Sequence, residues 1–196
     1  MTPQEIMDAA NIDVKNLGRI IQAQVISWLN QCNRDLATAG LIYSSLDITP
    51  VSGTYSYSLA SAAGFIRTLD LRDADGVKVV DDYRIRTISA VRYLIFDEDF
   101  DTDDGGTLTL WYLKRHTGIT GVNFDSLEME IDEDFHDLYV NYVMYRFYIT
   151  VLEQELAGLS RSEYLRRKAD LKSASRSRWN DGTSQGIRVV RDAGGS

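Results

Sequence analysis

The chain has 196 residues, 44% of them hydrophobic, with 29 acidic and 21 basic side chains and a net charge of −8. That is enough apolar content for one compact domain, or a core domain with a smaller insertion. There is no apolar run near the roughly 18 residues of a membrane span, no basic-then-apolar leader, and one cysteine, Cys32, which excludes an intrachain disulfide framework or a Cys-rich zinc site. The expectation is a protein made in a reducing cytoplasm, with an acidic balance that opposes bulk attraction to nucleic acid.

Thr2-Pro3-Gln4-Glu5 opens a short helix, with Thr2 and Glu5 spaced as a capping box and Pro3 at the first helical position. After Asn11 the pattern restarts. Val25, Trp28, Leu29, Cys32, Leu36 and Ala39 mark a second amphipathic helix ending at Gly40. Cys32 lies on its apolar stripe, where a buried small hydrophobe is expected rather than a reactive thiol.

From Leu41 the periodicity changes. Asp47–Val51 and Thr54–Leu59 read as two short strands around the Ser52-Gly53 turn. Further strands are expected at Phe65–Leu71, Val77–Val80, Ile85–Ile88, Arg92–Phe96 and Thr107–Leu113, with a hairpin turn at Asp75-Gly76 and Gly105-Gly106 starting the last strand. The stretch Lys114–Met129 reads as loop or edge strand.

Asp132–Leu156 contains no Gly or Pro and reads as one long helix with Asp132 at its N-cap. Phe135, Leu138, Tyr142, Tyr145, Ile149, Leu152 and Leu156 form one stripe; Val140, Met144, Phe147 and Val151 form a second. Two stripes imply either the centre of a bundle or a second face against a neighbouring subunit. Ser160-Arg161-Ser162-Glu163 is spaced to cap a last helix reaching about Trp179. In the Gly- and Ser-rich tail beyond it, Ile187, Arg188, Val189, Val190 and Arg191 have strand propensity without a hairpin partner, which suits addition to another protein's sheet, its own β-region, or a disordered terminus.

The predicted fold class is therefore α+β. Residues 1–40 with 132–180 form a helical bundle, residues 41–131 an inserted small antiparallel β-domain, and residues 181–196 a flexible C-terminal tail.

The charge is uneven. Asp97, Glu98, Asp99, Asp101, Asp103 and Asp104 crowd one loop, whereas Arg161, Arg166, Arg167, Lys168, Lys172, Arg176 and Arg178 crowd the last helix. Asp97, Asp99 and Asp101 have the alternate spacing of a calcium loop, but Thr102 then falls at the glycine position and Leu108 at the bidentate glutamate. A solvated acidic loop is the simpler reading. His116 and His136 have no nucleophile motif beside them, and Asp104-Gly105-Gly106-Thr107 lacks the lysine and helix of a phosphate loop. No cofactor, metal or catalytic residue is implied.

The order of these pieces resembles the bacteriophage head-to-tail adaptor proteins, also called connector or tail tubular protein A-like proteins. VISWLNQCNRDLA (Val25–Ala37) is similar to their "LL-WLN-A-RELA" segment, and GTYSYSL (Gly53–Leu59) to their "Y-LP" strand. GGTLTLWYLKRHT (Gly105–Thr117) is similar to "G-L-L-YY--P", DEDFHDLYVNYVMYRF (Asp132–Phe147) to "P-EFHD-LV-YVLYR", and Tyr164–Trp179 to the closing helix. Ala60 replaces a family proline, Asp132 stands near another, and the acidic loop replaces a third.

The resemblance implies a virion protein without enzymatic activity. It forms a homo-oligomeric ring, usually of twelve copies, between the portal protein and a tail or nozzle protein, and genomic DNA passes through it unbound. It would place Val140, Met144, Phe147 and Val151 at a subunit interface, and Arg166, Arg167, Lys172 and Arg176 on a portal-docking helix. Ile187–Arg191 would be a portal-docking tail, and Asp97, Asp99, Asp101 and Asp103 would face the lumen or the tail. Two other functions stay open: a tail-associated hydrolase of cell-wall polysaccharide using a carboxylate pair, and a DNA-binding assembly factor using Arg161–Arg178.

Overall fold

A computed structural model describes residues 1–14, 17–79, 83–97, 100 and 106–180, with the side chains at 13, 14 and 178–180 excepted. Among these residues the chain runs α1 (Pro3–Val14), α2 (Gln22–Thr38), β1 (Tyr43–Ile48), β2 (Ser56–Ser58), β3 (Phe65–Arg72), β4 (Tyr83–Ile88), β5 (Val91–Phe96), β6 (Leu108–Lys114), α3 (Asp137–Thr150) and α4 (Gln154–Asn180). It is an α+β protein. Residues 181–196, with the Ile187–Arg191 segment, lie outside the description.

The capping box of α1 forms as its spacing predicts. The Thr2 amide donates to Glu5 Oε2 at 2.8 Å and the Glu5 amide to Thr2 Oγ1 at 3.3 Å. α2 ends where Gly40 takes a φ of 74°. The amides of Gly40 and Leu41 then return to the carbonyls of Ala37 and Leu36, both at 3.0 Å, in a Schellman motif.

The six strands form two antiparallel three-stranded sheets, ordered β1-β6-β3 and β2-β5-β4. Leu108, Leu110 and Tyr112 of β6 alternate inward, as the pleat requires, to meet Leu71, Leu94 and Phe96 in one buried cluster. The strand expected at Asp47–Val51 is corrected to Tyr43–Ile48; it pairs with β6 and β2 pairs with β5, so the Ser52-Gly53 turn carries the chain from one sheet to the other. The Tyr57 hydroxyl fixes that crossing, accepting from the Val51 amide at 2.9 Å and donating to the Thr54 carbonyl at 2.7 Å. The strand expected at Val77–Val80 reduces to a single bridge, Arg72 to Lys78. Its lead-in is taken up by a turn in which Asp73 Oδ1 accepts from the amides of Asp75 and Val77 at 3.0 and 2.8 Å. The last strand starts at Leu108 rather than at the glycines.

Residues 115–131 return to the helices as irregular chain whose side chains anchor it. Asn30 accepts from the Ile119 amide at 3.0 Å and donates to its carbonyl at 2.9 Å. Ile119, Phe124, Met129 and Ile131 are buried in the helical core, as are Leu41 and Ile42.

The unbroken helix expected over Asp132–Leu156 is also corrected. A single 3-10 turn (Glu133–Phe135) precedes α3, which stops at Thr150. Leu152 then adopts a φ of 63°. The Glu153 amide reaches the Tyr148 carbonyl at 2.9 Å and the Leu152 amide the Ile149 carbonyl at 3.3 Å, a Schellman ending with leucine where glycine usually stands. The chain reverses and α4 begins at Gln154, so Ser160–Glu163 lies inside a helix and caps nothing. Nor do the two stripes alone describe the burial. Leu138, Tyr139, Val143, Phe147 and Tyr148 are the buried residues of α3, because α1, α2 and α4 all pack against it.

Pairings along α3 fix the directions. The Met1 nitrogen lies 2.9 Å from His136 Nδ1, while Gly18 approaches the Phe147 ring, so α1 runs alongside α3. Arg167 meets Asp137 near the start of α3, so α4 runs antiparallel. At about 1.5 Å per residue, the 27 residues of α4 outrun the 14 of α3 by roughly 20 Å.

Candidate docking surfaces

The last helix divides its charges between holding the fold and facing outward. Arg167 is committed inward. Its Nε and Nη2 donate to the two Asp137 carboxylate oxygens at 2.7 and 2.8 Å, Nη2 also donates to the Asp134 carbonyl, and the guanidinium lies 5.0 Å over the Phe135 ring. The fork of a guanidinium matches a carboxylate in this way and an ammonium does not. Arg166 pairs along its own helix with Glu163 and Asp170. Lys172 and Arg176 are exposed and make no ion pair among the described residues. Of the four residues expected on a docking helix, these two are the uncommitted ones.

One turn before Lys172, Lys168 Nζ lies 2.6 Å from Asp35 Oδ2 on α2, and the Tyr164 hydroxyl donates to the same oxygen. Burial works against the Asp35 charge, but the hydrogen bonds from Lys168 and Tyr164 outweigh it and hold the carboxyl below its ordinary range. Burial pushes the Tyr164 phenol far up, and Cys32 and Asp35 add to that. Cys32 is fully buried, as expected, and burial raises its thiol. Beside it the Tyr139 hydroxyl donates to Asn33 Oδ1 at 2.8 Å, satisfying two buried polar groups at once. Sequence reasoning missed both cross-links, since neither Asp35–Lys168 nor Asn33–Tyr139 has local spacing.

Of the expected interface stripe, Phe147 is 4% exposed within the helical core, and Val140, Met144 and Val151 are half-buried against it. Of the acidic loop, Asp97 is described. It is exposed at the end of β5, with Arg84 Nη1 at 3.6 Å, a pair worth little in solvent. Asp99, Asp101 and Asp103 lie outside the described residues. Phe100 roots the loop by stacking on Phe96 at 4.2 Å.

Two cavities invite a chemical reading. One of about 550 Å³ opens between the β4–β5 turn and the chain before β3, lined by Leu59, Phe65, Val91, Arg92 and Arg115 among others. Arg92 lies over the Phe65 ring and donates to the Phe65 carbonyl. The lining offers no carboxylate, histidine or cysteine to act as a base. The other, about 490 Å³, gathers Met1, Glu133, Asp134, His136 and Asp137. Both His136 nitrogens are occupied there, Nε2 by the Ile131 carbonyl at 2.9 Å and Nδ1 by the Met1 nitrogen at 2.9 Å. Among the described residues no group of three or more His, Cys, Asp and Glu side chains is placed to hold a metal ion, and no helix is long and apolar enough to cross a membrane.

The surfaces described are suited to contact: an exposed helix face whose Lys172 and Arg176 make no ion pair among the described residues, on a core tied together by long-range polar pairs. The family model of the SU10 adaptor protein matches residues 1–189, which takes in every described element. No curated protein matches the chain. That family is structural, its proteins belong to the virion, and its adaptor role implies contact with phage portal and tail proteins. The chain therefore belongs to the SU10 adaptor protein family, a phage head-to-tail adaptor family.

Proposed function

We propose that this chain assembles into a ring, of twelve copies as the family resemblance implies, that docks on the portal and joins it to a tail or nozzle protein while genomic DNA passes through the lumen. The family match over residues 1–189 carries this reading. Lys172 and Arg176, exposed and unpaired among the described residues, support α4 as the portal-docking helix, where free cations steer an approach to an acidic surface. Arg166 and Arg167 set that face through their own pairs. Val140, Met144 and Val151 keep part of their surface outside the core and are the stripe a neighbouring copy would cover, since a cyclic ring needs two different patches on each chain. Asp97, Asp99, Asp101 and Asp103 would line the lumen or face the tail, where like charge keeps DNA phosphates from sticking.

Sedimentation of the chain alone, of its phage's portal ring, and of the two mixed tests this. The expected result is a joint species with a fixed copy number matching the portal's symmetry, weakened at least about tenfold by Lys172→Glu with Arg176→Glu. A chain that never joins the portal ring would overturn the reading.

A further inference from the structure

One end of the helices is dressed in apolar side chains that no described residue covers. Leu152 at the α3–α4 reversal is 82% exposed, Ile149 just before it 46%, and Leu159 on α4 63%. The end of α1 and the approach to α2 lie at the same end, as the contact of Gly18 with Phe147 requires. They add Ile12 at 69%, Leu17 at 39% and Ile21 at 54%. Six large aliphatic side chains exposed at one end of the helices are more than the scattered single apolar residues of an ordinary surface, and such clusters mark interaction sites. Leu152 is held in a left-handed conformation that leucine rarely adopts.

We propose that this crown receives the Ile187–Val190 segment of a second copy of the chain. The segment supplies three large aliphatic residues in four, bracketed by Arg188 and Arg191 for the exposed Glu153 and Glu155 at the rim of the crown. Its own crown is out of range. α4 is 27 residues long, about 40 Å, and carries the chain to the opposite end. From Asn180 the ten residues to Val190 span at most about 35 Å even fully extended, short of Leu152, which lies about 40 Å back along the helix. A segment that leaves one end and fits the other, but cannot return within its own chain, joins copies head to tail, the contact a closed ring repeats. This inference rests on the ring reading and gives it an interface; the resemblance, by contrast, assigns the same segment to the portal.

The test is complementation in analytical ultracentrifugation with full-length chains. A crown variant carries Leu152→Asp and Leu159→Asp; a tail variant carries Ile187→Asp and Val189→Asp. Both crown positions are exposed, and unchanged circular dichroism would show that the variants fold. The wild-type chain is expected to associate with rising concentration, and each variant alone to lose that association at least about tenfold, as loss of a central apolar contact does. An equimolar mixture should form a heterodimer, because one partner keeps the crown and the other the segment. Wild-type chain monomeric at its highest soluble concentration, variants that associate like wild type, or no heterodimer in the mixture would each overturn the proposal. If the tail variant still associates but no longer joins the portal ring, the segment belongs to the portal; the ring reading then survives and this inference does not.

Discussion

Gly40 and Leu152 occupy the same position of the same helix-ending motif, one after α2 and the other after α3, with φ angles of 74° and 63°. Each lets two amides return to the carbonyls the helix leaves open. Glycine enters this conformation freely, whereas a side chain there costs about 1–2 kcal/mol. Leu152→Gly should therefore stabilise the chain by about 1 kcal/mol, a rise in Tm of roughly 2–4 °C for a domain of this size. Gly40→Ala should do the reverse. Calorimetry on the two variants checks both signs, and a lower Tm for Leu152→Gly would mean that the leucine side chain stabilises its own fold.

Arg167 joins the start of α3 to the middle of α4 through a two-toothed pair with Asp137. Arg167→Ala should cost about 0.5–1 kcal/mol, and Arg167→Lys should recover less than half, since an ammonium keeps the charge and loses the fork. A double-mutant cycle with Asp137→Asn, read by urea unfolding, should give a coupling energy above about 0.5 kcal/mol. Additive single effects would mean that the contact with the Phe135 ring, rather than the carboxylate, holds the guanidinium.

Stability should respond to pH at both ends through one cluster. Asp35 has a lowered folded pKa, so its contribution is complete above the unfolded carboxyl value of about 3.9 and is lost as pH falls through the folded value below that. Tyr164 has a raised pKa, so its contribution is complete below the unfolded phenol value of about 10 and is lost as pH rises beyond it. Asp35→Asn should flatten the acid limb of a stability profile, and Tyr164→Phe should flatten part of the alkaline limb, which the raised Cys32 and Tyr139 share. Urea midpoints across pH would show this, and an unchanged acid limb in Asp35→Asn would assign it to other carboxylates.

Asn30 ties the returning chain to α2 through both polar groups of Ile119. Asn30→Ala removes both partners from a half-buried backbone and should cost about 2 kcal/mol. Hydrogen exchange should speed up first at the Ile119 amide and its neighbours, with the strands of both sheets unaffected. Uniform acceleration across the chain would mean that the return segment opens only with global unfolding.

What could be foreseen from the residues follows the range of the forces involved. The Thr2–Glu5 box, the Gly40 stop and the burial of Cys32 are local or periodic, and each took the form its spacing implies. The strand after Ser52-Gly53 was equally legible, but the one before it runs over Tyr43–Ile48 rather than Asp47–Val51, and the partners of both were not legible, because sheet assignment depends on Tyr57 reaching back across the turn. The reversal at Leu152 carried no Gly or Pro to announce it; the packing of α4 onto α3 imposes it against local preference. Among the candidate contact residues, the basic helix was visible as composition. That Arg167 faces inward while Lys172 and Arg176 face outward required the position of Asp137, thirty residues away in sequence.

The length of α4 has a mechanical consequence. Its C-terminal stretch runs past the start of α3 with Leu171 and Ser175 still buried, while Tyr164, Arg167 and Lys168 bolt its middle to α2 and α3. A push delivered near Arg176 is therefore shared between the seats of Leu171 and Ser175 and those three side chains, so α4 takes load along its length rather than swinging about one point.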